Sequence, residues 1–225
     1  MLIYLNTQTT GLEISDKMLS VGIVSEDDML YDLVNEGKKV PSLASSINHI
    51  TNEMLKGKPR FRETKSYNYL KEHNANEHIL VMHNSKFDLD VLHKSSLDWC
   101  YKTIDTMRVT RHLIEECDSY SLQFLRYELK LYRREKRVFQ ANNALDNAST
   151  VKNLYDYLSD IASDDEMVEL SQKNVLLKKF EFGKYAGRFL EDICLNDRGY
   201  MEWMLRNIND LDEDLRYSIN YYLQG

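Results

Sequence analysis

Proline is nearly missing from this chain, with two in 225 residues, and glycine is sparse at eight. That scarcity argues against collagen-like, linker-rich and turn-dense all-β designs. Long apolar runs are missing too. Ile79-Leu80-Val81-Met82 is typical of the longest, far short of a membrane span. The three cysteines, Cys100, Cys117 and Cys194, are odd in number and widely spaced. They give no disulfide frame or zinc cluster and suit a reducing compartment. Met1-Leu2-Ile3-Tyr4-Leu5 has neither a basic stretch nor a cleavage site, so the expected location is cytoplasmic, with no membrane partner. An excess of positive charge is also lacking. The net charge is −7, which does not advertise a nucleic-acid binder in bulk. Any such contact must be local or helped by cations.

What is present is ordinary for a globular protein: 43% apolar and 29% charged residues, enough chain for a sizeable core. The acidity is uneven. Residues 1–150 hold 20 basic and 21 acidic side chains, whereas 151–225 hold 9 and 15. Leu2–Leu5 reads as a buried strand closed by a polar turn over Asn6–Gly11. Met18–Val24 and Met29–Val34 read as strands joined by a turn at Glu26-Asp27-Asp28. Further strands are expected at His78–Met82 and Tyr101–Ile104. Helices are expected at Phe61–Ala75, behind Phe87, Val91 and Leu92, and at Met107–Ile114, Ser121–Lys130 and Ala144–Leu158. The order predicts an α/β layered domain over about residues 1–160, with an antiparallel hairpin in its sheet. Ser163-Asp164-Asp165-Glu166 marks a boundary, and residues 165–225 read as a small α-rich C-terminal module.

Three segments stand out: Asn6-Thr7-Gln8-Thr9-Thr10-Gly11-Leu12, His83-Asn84-Ser85-Lys86-Phe87-Asp88 and Asn142-Asn143-Ala144-Leu145-Asp146-Asn147. Together they resemble the motifs of the DEDDh 3′–5′ exonucleases, the superfamily of bacterial proofreading subunits. The family patterns are Asp-x-Glu-Thr-x-Gly, His-Asn-x-x-Phe-Asp and His-x-Ala-x-x-Asp. The resemblance covers about residues 1–155. It is supported by Ile50–Leu55 with Pro59 and Phe61, and by Asp105-Thr106. It implies an RNase H-like mixed sheet flanked by helices. Phe182–Gly187 followed by Tyr200–Leu205 looks like the small C-terminal module of exodeoxyribonuclease X-like proteins.

The resemblance also implies a chemistry. Four carboxylates, at positions 6, 8, 88 and 147, would hold two Mg or Mn ions, and a histidine at 142 would accept the proton of the attacking water. It further implies that Thr7, Thr9, Thr10, Gly11, Leu12, His83, Asn84 and Phe87 shape or contact the substrate, with Leu12 wedged against the terminal base. This sequence departs from the pattern at the groups that matter: Asn6, Gln8, Asn142 and Asn147 stand where acids and the base belong, and Asp88 alone is retained. The site loses three negative charges. Asp88 can support at most one weakly held ion, through one carboxylate and substrate phosphates. Asp146 is turned about 100° from position 147 on a helix and Asp90 faces elsewhere, so no neighbour replaces the missing acids.

The reading is an exonuclease scaffold, catalytically inactive as written. Because the acids changed only to their shape-matched amides, it is taken as an inactivated variant of a working enzyme. The alternative is a natural non-catalytic module that binds nucleic-acid ends or a replisome partner. The expected partners are a single-stranded 3′ end or nucleotide, and a replication or repair protein. As bland alternatives, Asn6 and Gln8 close a strand, Asp88 serves a helix N-terminus, and His83 and Asn84 are strand-end hydrogen-bonders. The basic stretch Tyr132–Arg137 reads equally as a phosphate grip or a solvated face.

Overall fold

The computed structural model describes residues 1–114 and 117–224. They fall into two compact units, Met1–Ser171 and Gln172–Gly225. In the first, the strands are β1 (Leu2–Thr9), β2 (Met18–Val24), β3 (Met29–Leu33), β4 (Ile79–Met82) and β5 (Thr103–Asp105). They form one mixed sheet in the order β3-β2-β1-β4-β5. β1, β2 and β3 run antiparallel, while β4 and β5 join β1 in parallel. The helices are α1 (Ser42–Asn48), α2 (Asn52–Leu55), α3 (Lys65–Glu72), α4 (Ser85–Lys94), α5 (Thr106–Leu113), α6 (Leu122–Glu128), α7 (Ala144–Leu158) and α8 (Asp164–Gln172). This is the RNase H-like arrangement that the sequence suggests, a mixed sheet flanked by helices.

The sheet is buried on both faces, so β2 is apolar along nearly its whole length and shows no alternation. One face packs Tyr4, Val24 and Val81 against Val151, Leu154 and Leu158 of α7. The other packs Ile3, Leu5 and Val21 against Phe61, Leu70 and Leu92. Alternation in β1 therefore sends Tyr4, Asn6 and Gln8 toward α7, and Leu5 and Thr7 the other way.

Three details differ from the sequence expectation. β1 does not stop at Leu5. Asn6, Thr7 and Gln8 pair in register with Gly22, Val21 and Ser20, and after a bulge Thr9 pairs with Met18, because β2 offers a long partner whose ladder satisfies their backbone groups. The expected helix at 61–75 is broken: a 3₁₀ turn at Phe61–Glu63 ends at Thr64, whose hydroxyl caps α3 by accepting the Tyr67 N–H. Finally, the units divide about one helix later than the boundary read at 163–166. Met167 of α8 is fully buried in the core of the first unit, which holds that helix there. The turn at Glu26–Asp28 forms as read, closed by Ser25 N–H donating to Asp28 O at 2.9 Å.

The second unit has its own core of Phe180, Leu190, Ile193, Met201, Met204, Leu211, Leu215 and Ile219. Its helices are α9 (Leu190–Asn196), α10 (Arg198–Asn207) and α11 (Glu213–Gln224). An extended pair, Lys179 opposite Phe189, precedes them. Among the described residues, no helix is long and apolar enough to cross a membrane.

Candidate active site

Gly22 positions the site. It lies opposite Asn6 in the β1–β2 ladder, and a Cβ there would sit 2.3–2.4 Å from the backbone of Ala144 and Leu145. Only glycine lets the first turn of α7 come down onto the sheet at this level. That turn is built locally by Asn143, whose side chain accepts the N–H groups of Leu145 and Asp146. Close approach brings Asn147 over Asn6.

The result is a connected row of amides. Asn6 Oδ1 accepts from Gln8 Nε2 at 2.9 Å and from Asn147 Nδ2 at 3.2 Å. Asn147 Oδ1 in turn accepts from Gln123 Nε2 at 3.1 Å, and Gln123 Oε1 accepts from Arg126 at 3.1 Å. Arg126 is buried and makes a bidentate pair with Glu135, at 2.6 and 2.7 Å. Each of these donors meets an acceptor, so a neutral chain of hydrogen bonds runs from Gln8 up to a buried ion pair.

Asp88 meets β1 from the opposite face. Its Oδ1 accepts the Thr7 N–H at 2.8 Å and the Thr7 hydroxyl at 2.6 Å. Both residues are buried. Burial pushes the Asp88 carboxyl up to about 7 against the pull of those two hydrogen bonds, and Asp105 adds to the rise. Thr7 is thus occupied with Asp88. Asn142 sits at φ 59° just ahead of α7 and donates to Ile47 O at 3.2 Å. The fold brings Asn6, Gln8 and Asn147 into hydrogen-bond contact, and the bonds of Asp88 and Asn142 run to Thr7 and Ile47 instead.

The remaining residues take definite places. Thr9, Gly11, Leu12 and Phe87 line one small cleft together with Asp16 and Lys94. Its rim is held by Asp16, which accepts from the Thr10 hydroxyl at 2.5 Å and from Lys38 at 2.7 Å. Those bonds, Lys38 first, lower the Asp16 carboxyl to about 2. Leu12 and Ile14 stand out from this turn, 85% and 88% exposed. His83 has both ring nitrogens engaged, with the Thr106 hydroxyl and Tyr120 O, and burial lowers its pKa. Asn84, at φ 64°, and Ser85 donate their backbone N–H groups to Asp105. That carboxylate also caps α5 through Met107 N–H, so it fixes where α4 starts.

Asp146 is locked by Arg137 and by Gln140 N–H at 2.7 Å. Asp90 does not face elsewhere: it is exposed and lines the cleft of Thr9, Gly11, Leu12 and Phe87, because two residues on from Asp88 the helix turns it outward. The stretch Tyr132–Arg137 is partly structural, since Glu135 and Arg137 are both committed to ion pairs. Gly22 and Gln123 were missed from sequence. A lone glycine inside the apolar run 18–24 was the available signal for Gly22. Gln123 gave none. Among the described residues, no group of three or more His, Cys, Asp or Glu is placed to hold a metal ion.

Comparison with known proteins agrees with this architecture. The family model described as Exonuclease matches residues 7–155, and that described as Exodeoxyribonuclease X-like C-terminal matches residues 180–209. Exodeoxyribonuclease 10 of Escherichia coli (strain K12) is 26% identical over 236 aligned residues, covering 100% of both chains. DNA polymerase III subunit epsilon of Treponema pallidum (strain Nichols) is 30% identical, covering 67% of this chain and 72% of that one. Among solved structures, exonuclease X in complex with 5′ overhanging duplex DNA superposes with a TM-score of 0.61 at 22% identity, over 76% of this chain and 99% of that one. The nuclease domain of 3′hExo, a DEDDh family member bound to rAMP, gives 0.55 at 12% identity, over 71% and 90%. At these identities the structural likeness shows the fold. The match of the family model across most of the first unit shows the lineage: the chain belongs to the exonuclease family and carries an exodeoxyribonuclease X-like C-terminal segment.

Proposed function

We propose that this chain is a hydrolytically silent 3′–5′ exonuclease scaffold that keeps a docking place for the 3′ end of a single strand. The row of amides from Gln8 through Asn6 and Asn147 to Gln123 carries the reading. Two divalent ions held close together need anionic oxygens to offset their mutual repulsion. Positions 6, 8 and 147 supply neutral amides that already bond to one another through Asn6 Oδ1. Asp88 is buried, spends Oδ1 on Thr7 and is half-protonated near pH 7. This donor set does not fit a pair of ions. Asp88 supports at most one, weakly. Asn142 takes up no proton near neutral pH.

Each missing contribution is commonly worth about 10²-fold or more in rate. Such losses do not add simply, yet together they put hydrolysis below easy detection. Binding is a separate matter. Thr9, Gly11, Leu12 and Phe87 still share one cleft, and the exposed Leu12 is free to pack on a terminal base. Amides at 6, 8 and 147 lessen the repulsion of a terminal phosphate, while the cleft keeps Glu13, Asp16 and Asp90 beside Lys94.

Two experiments decide this. Asn6→Asp, Gln8→Glu, Asn142→His and Asn147→Asp together should create Mg- or Mn-dependent release of mononucleotides from 3′ ends. If that variant folds and degrades neither single-stranded DNA nor RNA, the assignment of these positions is wrong. The unsubstituted chain should bind a labelled 3′ overhang equally with Mg and with chelator, and cut nothing. Chelator-sensitive hydrolysis by purified unsubstituted chain would sink the silent reading.

A further inference from the structure

The second unit carries a feature that the exonuclease chemistry does not use. An aromatic ladder leads from its core to its surface. Phe180 is buried, its ring centroid 6.3 Å from Tyr185, which meets Tyr200 edge-on at 5.0 Å. Tyr200 stacks on Trp203 at 6.0 Å and 23°. Trp203 ends the ladder 51% exposed. A large ring fixed from below and open above is a platform, costing little side-chain entropy when a flat ligand lands on it.

Cations accompany the rings. The Lys184 ammonium lies 4.6 Å from the Tyr185 centroid and 5.6 Å from that of Tyr200. Lys179 lies 4.9 Å over Phe189, its partner across the extended pair. Within a chain of net charge −7, residues 178–189 hold Lys178, Lys179, Lys184 and Arg188 against Glu181 alone. The acids nearest the ladder are already occupied. Asp197 accepts from the Tyr185 hydroxyl at 2.5 Å and from Lys184 at 3.2 Å, and it caps α10. Glu202 faces Arg198 and Arg206. The turn is closed by backbone bonding. Gly183 and Gly187 take φ 77° and 81°, and Gly187 N–H donates to Phe180 O at 2.7 Å.

We infer that this face binds single-stranded nucleic acid, with unpaired bases stacked on Trp203 and the exposed Phe182 and Phe189, and phosphates drawn to Lys179 and Arg188. Exposed rings interleaved with cations recognise a strand whose bases are free, since every base offers a π-face and every linkage an anion. A paired duplex hides those faces. The inference is independent of the silent-site reading, because its residues and its signal lie outside residues 1–171.

The test uses the full chain carrying Trp99→Phe, which leaves Trp203 as the sole indole. Twelve-residue oligo(dT) and oligo(rU) should each quench its fluorescence, and a blunt 12-base-pair duplex should not. Log affinity should fall with log salt, and Lys179→Gln with Arg188→Gln should flatten that slope by about 1.4, since each phosphate no longer neutralised takes away roughly 0.7. In the full chain with both tryptophans, binding followed by anisotropy of a labelled oligo(dT) should weaken roughly 5- to 150-fold on Trp203→Ala and be largely restored in Trp203→Phe. Quenching by duplex as strong as by oligo(dT), equal displacement by poly-glutamate, or an unchanged affinity on Trp203→Ala would each overturn it. Failure of Leu12→Ala to weaken binding would touch the 3′-end reading and leave this one standing.

Discussion

Restoring acids at positions 6 and 8 one at a time should give unequal results, and the geometry sets the order. Asn6 Oδ1 accepts two N–H groups, from Gln8 at 2.9 Å and Asn147 at 3.2 Å. A carboxylate at position 6 accepts both and strengthens them, so Asn6→Asp should change stability by no more than about 0.5 kcal/mol. Gln8→Glu removes the donor and turns an oxygen toward Asn6 Oδ1, which should cost about 1–2 kcal/mol. Made together, the changes place two carboxylates in contact. Unit charges about 4 Å apart repel by about 4 kcal/mol at an effective dielectric constant of 20. The pair can escape only by keeping one proton, and holding a glutamic acid neutral at pH 7 costs a similar amount, about 4 kcal/mol. The double variant should therefore melt on the order of 10 °C lower in chelator at pH 7, with a loss larger than the sum of the singles. The sign with pH follows. These carboxyls have raised folded-state pKa values, so the deficit is absent below about pH 4 and develops as pH rises toward 7. Magnesium should recover stability in the double variant and leave the unsubstituted chain where it was. Melting by circular dichroism, at several pH values with and without 10 mM Mg, reads all of this. Equal losses for the two singles, or a clear Mg-induced rise in the unsubstituted chain, would refute the arrangement of donors described here.

Three further outcomes can be measured alongside. Gly22→Ala should destabilise the first unit by about 3 kcal/mol, because the new methyl meets the Ala144–Leu145 backbone at 2.3–2.4 Å; urea unfolding with a loss under 1 kcal/mol would show that α7 can shift. Asp88 has a pKa raised to about 7 by burial, so its contribution to stability is full below about pH 4 and is lost as pH rises through 7. Asp88→Asn keeps the acceptor for Thr7 and should flatten that part of the pH profile, whereas a loss equal at pH 5 and pH 8 would contradict the assignment. Arg126→Met leaves Glu135 buried without its partner and should cost about 3–5 kcal/mol, with much of it regained when Glu135→Met is added.

The strands and the long helices were readable because their signal is periodic. Ile3 and Leu5, the run 18–24 and the helix over 144–158 announce buried faces without any tertiary knowledge. The end of β1 was not readable. Asn6 to Thr9 is polar and looks like a turn, and only pairing with β2 keeps it extended. The short helices at 42–48 and 52–55 escaped because they carry few buried residues each, too few to set a period. In the site, the motif positions came from resemblance, but their mutual contacts did not. Gln8, Asn6 and Asn147 were expected to stand as lost ligands, and nothing in their spacing shows that they would bond to one another or extend to Gln123 and Arg126. That row depends on how deeply α7 seats, which Gly22 sets from a distant part of the sequence.

The same seating explains why amides at these three positions can replace acids without dismantling the fold. In a cluster of carboxylates, metal ions supply the attraction, and removing them leaves repulsion. In this row each nitrogen does what a cation would do for the neighbouring oxygen, at hydrogen-bond distance and without net charge. The cost of packing α7 against polar strand residues is thereby met inside the protein. On the proposed reading, stability and metal content should be independent of one another here, where in an acidic version they would be linked. Calorimetry separates the two cases directly: unfolding enthalpy and melting temperature of this chain should be indifferent to chelator, whereas those of the quadruple acid-and-histidine variant should rise with each increment of added magnesium.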